Sequence, residues 1–378
     1  MRTVLVTGPG GAGRTTLAAA TALTAARAGT PTLLLTQGRG PAPLGLPSAT
    51  EPTEPTEAAP GLHVVAADPA AAFRGGVRGL QDRAGALLGL LGAAPLEDGE
   101  LAPPPGLAPY ALLTALHRHA SDAYGLVVVD LPAGTEGLAL LAAPALLRRY
   151  LDRLLPRQRQ AARALRPVLG RLAGVPLPGE EWYEAAARAE AALAASEARL
   201  TGPGTSLLPV VEPGRAGTEA LRLTRVAAAL YGVALDRPLA NRVLPEGAFG
   251  AAVQHAALRT YEDAHPLPHL GAEPAGPADL EALGAPLPGA PVPAPEWTLH
   301  DLRAKTGLIE WHVPLPGAER AELDLYRFED ELAVTAGPFR RTRPLPSALR
   351  RCDVTGAALR EGALRVRFRP TPGLWPEG

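Results

Sequence analysis

The sequence predicts an α/β protein in which a mostly parallel sheet carries helices on both faces and a helical insertion, with a small antiparallel β-sandwich after it. Short, continuously apolar runs alternate with Ala- and Leu-rich stretches in the first part of the chain, which is typical of parallel strands covered on both faces. A long segment of Ala, Leu, Arg and Glu at helical spacing interrupts this alternation. Toward the C-terminus the pattern changes to short strands with two-residue alternation, which indicates antiparallel pairing.

The first part of the chain predicts a series of strands and helices around this insertion. The apolar runs place strands at residues 4–7, 32–35, 62–66, 125–129, 207–211 and 237–243. Helical composition covers residues 15–28, which are followed by Gly29, and residues 217–231. The insertion is a helical subdomain at residues 136–200, broken by prolines. Residues 41–60 are rich in Pro, Thr and Glu with almost no large apolar group, so we predict a mobile loop there.

A change of composition separates two predicted domains. Residues 285–295 are dense in Pro, Ala and Gly, so we place a linker at residues 285–305, between a first domain at residues 1–284 and a β domain at residues 306–370. The β domain is predicted from the strand-like segments GLIEWHV, AELDLYRF, ELAVTAG, FRRTRPL and ALRVRF.

Composition excludes several classes of function. With 378 residues, of which 47% are hydrophobic, the chain can bury a sizeable core, and its formal net charge of -1 gives no strong field for nucleic acid. We therefore expect no nucleic-acid partner. Cys352 is the only cysteine, which excludes an internal disulfide and a CxxC metal clamp. The first residues lack the features of a secretory signal and no apolar run reaches about 18 residues, so we expect a cytoplasmic location.

The strongest motif is the glycine-rich run TGPGGAGRTT at residues 7–16, which follows a predicted strand and opens a predicted helix. Glycines let consecutive backbone amides converge on phosphate oxygens, and the helix N-terminus adds its positive dipole end. The pattern GxxxxGK[ST] is met at Gly8, Gly13 and Thr15, with Arg14 in place of the lysine. A glycine turn that merely joins strand to helix is the alternative, and the strand–loop–helix context favours the phosphate site. The run therefore predicts a P-loop NTPase fold that binds a nucleotide.

A second element is the carboxylate at the end of the predicted strand VVVD, residues 127–130. Asp130 beside the phosphate loop would hold Mg²⁺ together with the Thr15 hydroxyl, as a Walker B aspartate does. The alternative is a strand-end aspartate that caps the next turn. Because the phosphate loop is present, we favour the magnesium role.

These motifs, in this order, resemble the ArsA family of ATPases, which includes arsenite-pump ATPases and the ATPase that targets tail-anchored membrane proteins. The resemblance covers residues 1–284 and rests on the phosphate loop, ADP at 67–69, VVVDLPAGTEGLALL at 127–141 and ANRVLP at 240–245. It implies ATP and Mg²⁺ as cofactors, a homodimer bridged by nucleotide, and an adenine contact from Asn241. The nucleotide-binding residues assigned in this way are Gly8, Gly10, Gly11, Ala12, Gly13, Arg14, Thr15, Thr16 and Asn241. The magnesium ligands are Thr15 and Asp130.

The chain departs from the family pattern at three positions that serve hydrolysis. Pro9 stands where the family has a signature lysine that reaches the partner's nucleotide, and Arg14 replaces the P-loop lysine. Gln37 stands where the family has an aspartate that orients or activates the attacking water. An amide can orient water but is a poor proton acceptor, so Arg14 and Gln37 are weakened catalytic candidates. We expect nucleotide binding to be better preserved than turnover.

Two further expectations come from resemblance. Family members that bind metalloid or zinc use cysteines, and none lies in residues 1–284, so we expect neither metalloid nor zinc. The segments VPLPGAERAELDLYRFEDELAVTAG and GAALREGALRVRF resemble the α-crystallin-like domain of small heat-shock proteins, which implies a compact β-sandwich at the C-terminus.

Three functions remain open from the sequence. The first is a weak ATPase that acts as a nucleotide-dependent dimeric switch, with its helical subdomain holding a protein client or a peripheral membrane partner. The second is a pseudo-ATPase scaffold or chaperone-like protein that binds nucleotide without significant hydrolysis. The third is a positioning ATPase like ParA or MinD, a class that shares the phosphate loop but lacks the helical region and the β domain.

Overall fold

The computed structural model describes residues 1–38, 45, 54–90, 94–104, 106–154, 180–261 and 263–371. Within these residues, the first part of the chain forms one nine-stranded sheet, and the C-terminal part forms two smaller antiparallel sheets. The predicted fold class, an α/β domain with an antiparallel β-sandwich, is confirmed.

Parallel pairing runs through most of the large sheet. Its strands are β1 (Arg2–Thr7), β2 (Thr32–Gln37), β3 (Thr56–Ala59), β4 (Leu62–Ala67), β5 (Leu126–Asp130), β6 (Thr205–Val211), β7 (Ala234–Leu235), β8 (Leu239–Val243) and β9 (His265–Pro268). Their order is β3-β4-β2-β5-β1-β6-β8-β9, with β7 also beside β6, and among the described pairs only β3 with β4 is antiparallel. The loop after β1 therefore emerges at the middle of the carboxyl edge.

Helices cover both faces of this sheet. They are α1 (Arg14–Arg27), α2 (Pro69–Leu90), α3 (Ala108–His119), α4 (Thr135–Ala139), α5 (Ala143–Leu154), α6 (Glu180–Leu200), α7 (Arg215–Tyr231), α8 (Ala251–Leu258) and α9 (Pro277–Ala282). In β2, Leu33 and Leu35 pack in the apolar layer that contains α3, and Leu34 packs in the layer that contains α1. Successive side chains of a strand point to opposite faces, so a strand covered on both sides is apolar throughout. Among the described helices, none combines the length and the apolar composition that a bilayer span requires.

The C-terminal region is a sandwich of two antiparallel sheets. Its elements are β10 (Thr298–Leu302), α10 (Arg303–Thr306), β11 (Leu308–Pro314), β12 (Leu323–Phe328), β13 (Glu331–Ala336), β14 (Phe339–Pro344), α11 (Ser347–Arg350), β15 (Cys352–Arg360) and β16 (Ala363–Pro370). The sheet orders are β10-β11-β16-β15 and β12-β13-β14. Ile309, Trp311 and Val313 of β11 are buried at every second position against Val334 and Phe339 of the other sheet. The alternation in the sequence thus marks the faces that meet.

Two strands lie in segments that the sequence predicts to be a loop or a linker. Of the predicted loop at residues 41–60, residues 41–44 and 46–53 lie outside the described residues, and the prediction is wrong for β3, which pairs with β4. β10 falls within the predicted linker and pairs with β11. Val292, also in that segment, forms an antiparallel bridge with Leu235 of β7. Of the predicted helical subdomain, residues 155–179 lie outside the described residues.

The β-sandwich packs directly against α7. Phe339 of β14 meets Tyr231 of α7 edge-on, with 6.1 Å between ring centroids, and both side chains are buried. The guanidinium of Arg222 in α7 donates to both carboxylate oxygens of Glu322, at 2.9 and 3.1 Å. Arg341 of β14 donates to the carbonyl of Leu230 at 2.7 Å. Burial and the neighbouring Arg343 lower the pKa of Arg341 to about 10.

A second contact joins the β-sandwich to α5 of the helical subdomain. Arg149 of α5 lies 2.7 Å from a carboxylate oxygen of Glu331 and donates to the hydroxyl of Thr342 at 3.0 Å. Its guanidinium also lies 5.2 Å from the ring centroid of Phe328. The next residue, Arg148, pairs with Glu197 of α6 at 2.6 Å. The sandwich therefore contacts both the sheet layer and the helical subdomain.

We expect Phe339→Ala to lower the free energy of unfolding by about 3–5 kcal/mol, because it removes a fully buried ring and leaves a cavity against Tyr231. Leu299→Ala, on exposed β10, is the control and should stay within about 0.5 kcal/mol of wild type. Urea unfolding followed by circular dichroism measures both. Since one apolar cluster spans the sheet layer and the sandwich, a single transition is expected. The shared core would be contradicted if urea gave two separate transitions and Phe339→Ala shifted only one of them.

Candidate functional site

The glycine-rich loop between β1 and α1 exposes backbone amides at the start of a buried helix. Gly11 and Gly13 have left-handed backbones with φ of 82° and 83°. Gly13 is the N-cap of α1, and no described side chain caps the helix. The first amides of α1 and its positive dipole end are therefore free to bind an anion.

Two glycines of this loop are required by close approach of neighbouring strands. A Cβ on Gly8 would lie 2.1 Å from the carbonyl oxygen of Val210 in β6. A Cβ on Gly13 would lie 2.2 Å from the side-chain nitrogen of Asn241 in β8. Real Cβ atoms do not come this close to other heavy atoms, so both positions need glycine for packing. Gly13 also needs it for its left-handed backbone.

Arg14, Thr15 and Asp130 form a buried polar cluster beside the loop. Nε of Arg14 donates to Oδ1 of Asp130 at 2.6 Å, and the hydroxyl of Thr15 donates to Oδ2 at 2.6 Å. The side chain of Asp130 is 5% exposed and that of Arg14 is 16% exposed. A carboxylate this deeply buried requires an opposite charge and hydrogen-bond donors, and the loop supplies both.

The donor set of this cluster fits Mg²⁺. A threonine hydroxyl and an aspartate carboxylate are hard oxygen donors of the kind that Mg²⁺ takes beside phosphates. Thr15 and Asp130 would hold the ion, which would neutralise charge on the phosphate oxygens. Arg14 already uses one of the two carboxylate oxygens.

The segment after β5 is bonded to the same loop. The amide of Leu131 donates to the carbonyl of Val6 at 3.1 Å, and the amide of Gly134 donates to the carbonyl of Gly8 at 2.9 Å. This segment leads straight into α4, which packs on α7. The phosphate loop, the end of β5 and the start of the helical subdomain thus form one connected structure.

Asn241 lies beside the loop, at the floor of a cleft. It is 4% exposed, and its side-chain nitrogen donates to the carbonyl of Ala12 at 2.9 Å. No described donor reaches its side-chain oxygen, which a ligand amino group can use. The cleft has a volume of about 470 Å³ and begins at Gly13 and Thr16. Its other lining residues include Glu212, Asn241, Arg242, Gln254, His269 and Leu283.

Several residues of this cleft are not identified by the sequence motifs. Arg242 has a left-handed backbone with φ of 56°, and its guanidinium donates to the carbonyl of Gly11 at 2.8 Å. The side chain of Gln254 holds the turn after β8 through the amide of Leu244 and the carbonyl of Arg242. Glu212 directly follows the buried strand β6, much as Asp130 ends β5, and this position at the end of a strand is the one signal that could have revealed it. Gln254 and His269 carry no comparable signal.

The remaining candidates lie apart from the cluster. Gln37 ends β2, one strand along from β5, and its side-chain nitrogen is buried without an acceptor among the described residues. No hydrogen bond joins it to Arg14 or Asp130 in the described part of the chain. Pro9 lies in the loop, where its carbonyl accepts the amide of Ala12 at 3.4 Å. Cys352 is buried in the β-sandwich, away from the loop.

The parallel sheet, the glycine loop at its carboxyl edge and the strand-end aspartate together define a P-loop NTPase. Residues 1–258 match the family model described as anion-transporting ATPase, and residues 307–368 match the model described as the HSP20-like domain found in ArsA. The chain therefore belongs to the ArsA ATPase family and carries the HSP20-like domain of that family.

Three proteins are similar to this chain in sequence. An uncharacterized protein of Streptomyces coelicolor is 54% identical over the full length of both chains. A protein of Mycobacterium tuberculosis is 31% identical over 66% of this chain and 64% of its own length. A protein of Aquifex aeolicus, described as a candidate arsenical pump-driving ATPase, is 23% identical over 71% of this chain and 73% of its own length.

We expect Gly13→Ala to be more harmful than Gly29→Ala, although both glycines flank α1 with nearly equal left-handed backbones. Each substitution forces an L side chain into that conformation, at a cost of about 1–2 kcal/mol. Only Gly13→Ala also clashes with Asn241, because the space around Gly29 is open. The free energy of unfolding should fall by at least about 1 kcal/mol more for Gly13→Ala, measured in urea. If the two variants lost the same free energy of unfolding, the close approach of Gly13 to Asn241 would not be needed by the loop.

Proposed function

We propose that this protein is an ATP-binding switch with weak ATPase activity, in which nucleotide and Mg²⁺ control a homodimer and its hold on a partner. The observation that carries the proposal is the cleft of about 470 Å³ that is lined by Gly13 and Thr16 of the phosphate loop. Thr15, between these two residues, donates its hydroxyl to Asp130. We propose nucleotide binding for residues 1–284, with residues 285–305 as the connection to a β domain at residues 306–370.

The geometry of the cleft supports a nucleotide. The free amides of the loop and of α1 suit the phosphates, and Thr16 lies where the loop meets the cleft. The side-chain oxygen of Asn241, which no donor among the described residues reaches, suits an adenine amino group further along. Ligand pockets of about 300–1,000 Å³ hold molecules of this size.

The proposed hydrolysis is slow because the groups that stabilise the transition state are altered. Gln37 can orient water through its amide but takes up a proton poorly. Arg14 is planar and bonded to Asp130, so it is less able than a lysine to follow the migrating phosphoryl group. The binding groups are present, and we therefore propose binding with low turnover.

An exposed apolar patch beside the cleft supports a homodimer. Phe249 is fully exposed, and Val253 at the start of α8 is 73% exposed. Both follow Leu244, which lines the cleft. Large apolar side chains so exposed are typical of surfaces that another protein covers. A second copy of the chain placed across the cleft would bury them next to the nucleotide.

The helical subdomain supports the proposed partner role. Leu146, Tyr150 and Leu154 are exposed and spaced by four residues, so they lie along one side of α5. Arg153 is exposed on the same helix, whereas Arg149 is already paired with Glu331 of the sandwich. An exposed apolar stripe beside a cation suits an amphipathic protein client or an anionic membrane surface. Because the segment after Asp130 leads into α4 and then α5, nucleotide binding can act on this helix.

We expect ATP to bind with heat measurable by calorimetry, and phosphate release to be slow but faster than in Asp130→Ala. The substitution removes a proposed magnesium ligand and leaves Arg14 without its carboxylate. Turnover no faster than in Asp130→Ala, with ATP binding retained in wild type, would favour the pseudo-ATPase alternative. An absence of heat with ATP, ADP or GTP would remove the proposed function altogether.

We expect ATP to shift the protein toward a dimer, and Phe249→Ser to weaken that shift by about tenfold in the dimer dissociation constant. Tyr326→Ser is the matched control, because Tyr326 is an exposed aromatic residue of the β-sandwich, on β12. Sedimentation velocity with and without ATP measures the effect. A monomer at all ATP concentrations, or equal loss in both variants, would contradict the proposed interface.

A further inference from the structure

We infer that nucleotide binding at this site does not require Mg²⁺, because the Arg14 guanidinium supplies the cation between Asp130 and the phosphates. The inference rests on the proposed function, since it assumes that the loop binds a nucleotide. The question is which positive charge lies between the buried carboxylate of Asp130 and the phosphates of the nucleotide.

The cluster is already electrostatically complete without a metal ion. Both oxygens of Asp130 accept a hydrogen bond at 2.6 Å, one from Arg14 and one from Thr15. Asp130 is nearly inaccessible to water, with its side chain 5% exposed. Mg²⁺ gives up its water shell reluctantly and would have to compete with a charge-assisted hydrogen bond for Oδ1.

The planar guanidinium of Arg14 has enough donors to contact two acceptors on different sides. Arginine carries five N–H donors in a rigid fork, and only the Nε donor is used on Asp130. The two terminal nitrogens have no acceptor among the described residues, and the side chain remains 16% exposed. Arg14 begins α1, whose free amides form the phosphate position. The terminal nitrogens are thus available to phosphate while Nε stays on the carboxylate.

A lysine at this position has a shorter reach. Its three N–H donors lie on one nitrogen, so it contacts the carboxylate and a phosphate together only where both are within hydrogen-bond distance of that single atom. Where they lie further apart, a second cation is needed beside Asp130, and Mg²⁺ is the ion held there in P-loop proteins. Because Arg14 stands where the P-loop pattern has a lysine, nucleotide binding in this chain does not need Mg²⁺.

The experiment is calorimetric titration of the full-length protein with ATP, in excess Mg²⁺ and in EDTA. For wild type, the dissociation constants in the two buffers should differ by less than about threefold. For Arg14→Lys, ATP should bind at least about tenfold more weakly in EDTA than in Mg²⁺. Arg27→Lys is the matched control, because Arg27 lies on the same helix and its Nε also contacts a carboxylate, that of exposed Glu281. It should behave as wild type.

Other outcomes separate this inference from the proposed function. Wild-type binding that weakens about tenfold or more in EDTA would overturn the inference and leave the nucleotide site intact. Arg14→Lys that binds equally well in both buffers would also overturn it, since Arg14 would not be the source of metal independence. No ATP binding in either buffer would remove both. Thermal melting with ATP in EDTA is a second measurement, in which wild type should be stabilised and Arg14→Lys should not.

Discussion

The buried carboxylate of Asp130 is the constraint around which the site is arranged. A charge removed from water must be paired and hydrogen-bonded, and Arg14 and Thr15 meet this requirement from the first turn of α1. The pairing fixes the end of β5 against the phosphate loop. Backbone bonds from Leu131 and Gly134 then continue the connection to β1 and the loop. The loop is thus held by the side-chain bonds between β5 and α1 and by the backbone bonds of the segment after β5.

The β-sandwich is part of the same packed structure. Its rings and arginines contact α7, and α7 in turn packs on α4, which follows the segment beside Asp130. Arg149 adds a contact from the sandwich to α5. A movement of α4 or α5 would therefore change contacts that the sandwich makes, since packed interiors have little free volume to absorb a shift.

The elements predicted from sequence are those whose signal is local. β2, β5 and β6 are continuously apolar because both their faces are covered, and β11 alternates because one face is covered. β3 and β10 have neither a continuous nor an alternating pattern of buried apolar residues, and each pairs with the edge of a neighbouring strand. Composition predicts a linker at residues 285–305 but not its contacts. Within it, the carbonyl of Pro288 accepts a hydrogen bond from the guanidinium of Arg2, a residue far away in the chain.

The sequence by itself determined the phosphate loop, the strand-end aspartate and the family, because these depend on residue types at short, fixed spacings. Only the tertiary structure decided how Arg14 is used, since its partner Asp130 is distant in sequence and is brought near by the strand order β5-β1-β6. The same holds for the cleft, where Glu212, Gln254 and His269 meet the loop. Parallel pairing brings the carboxyl ends of separate strands to one edge, and no local pattern encodes which side chains gather there.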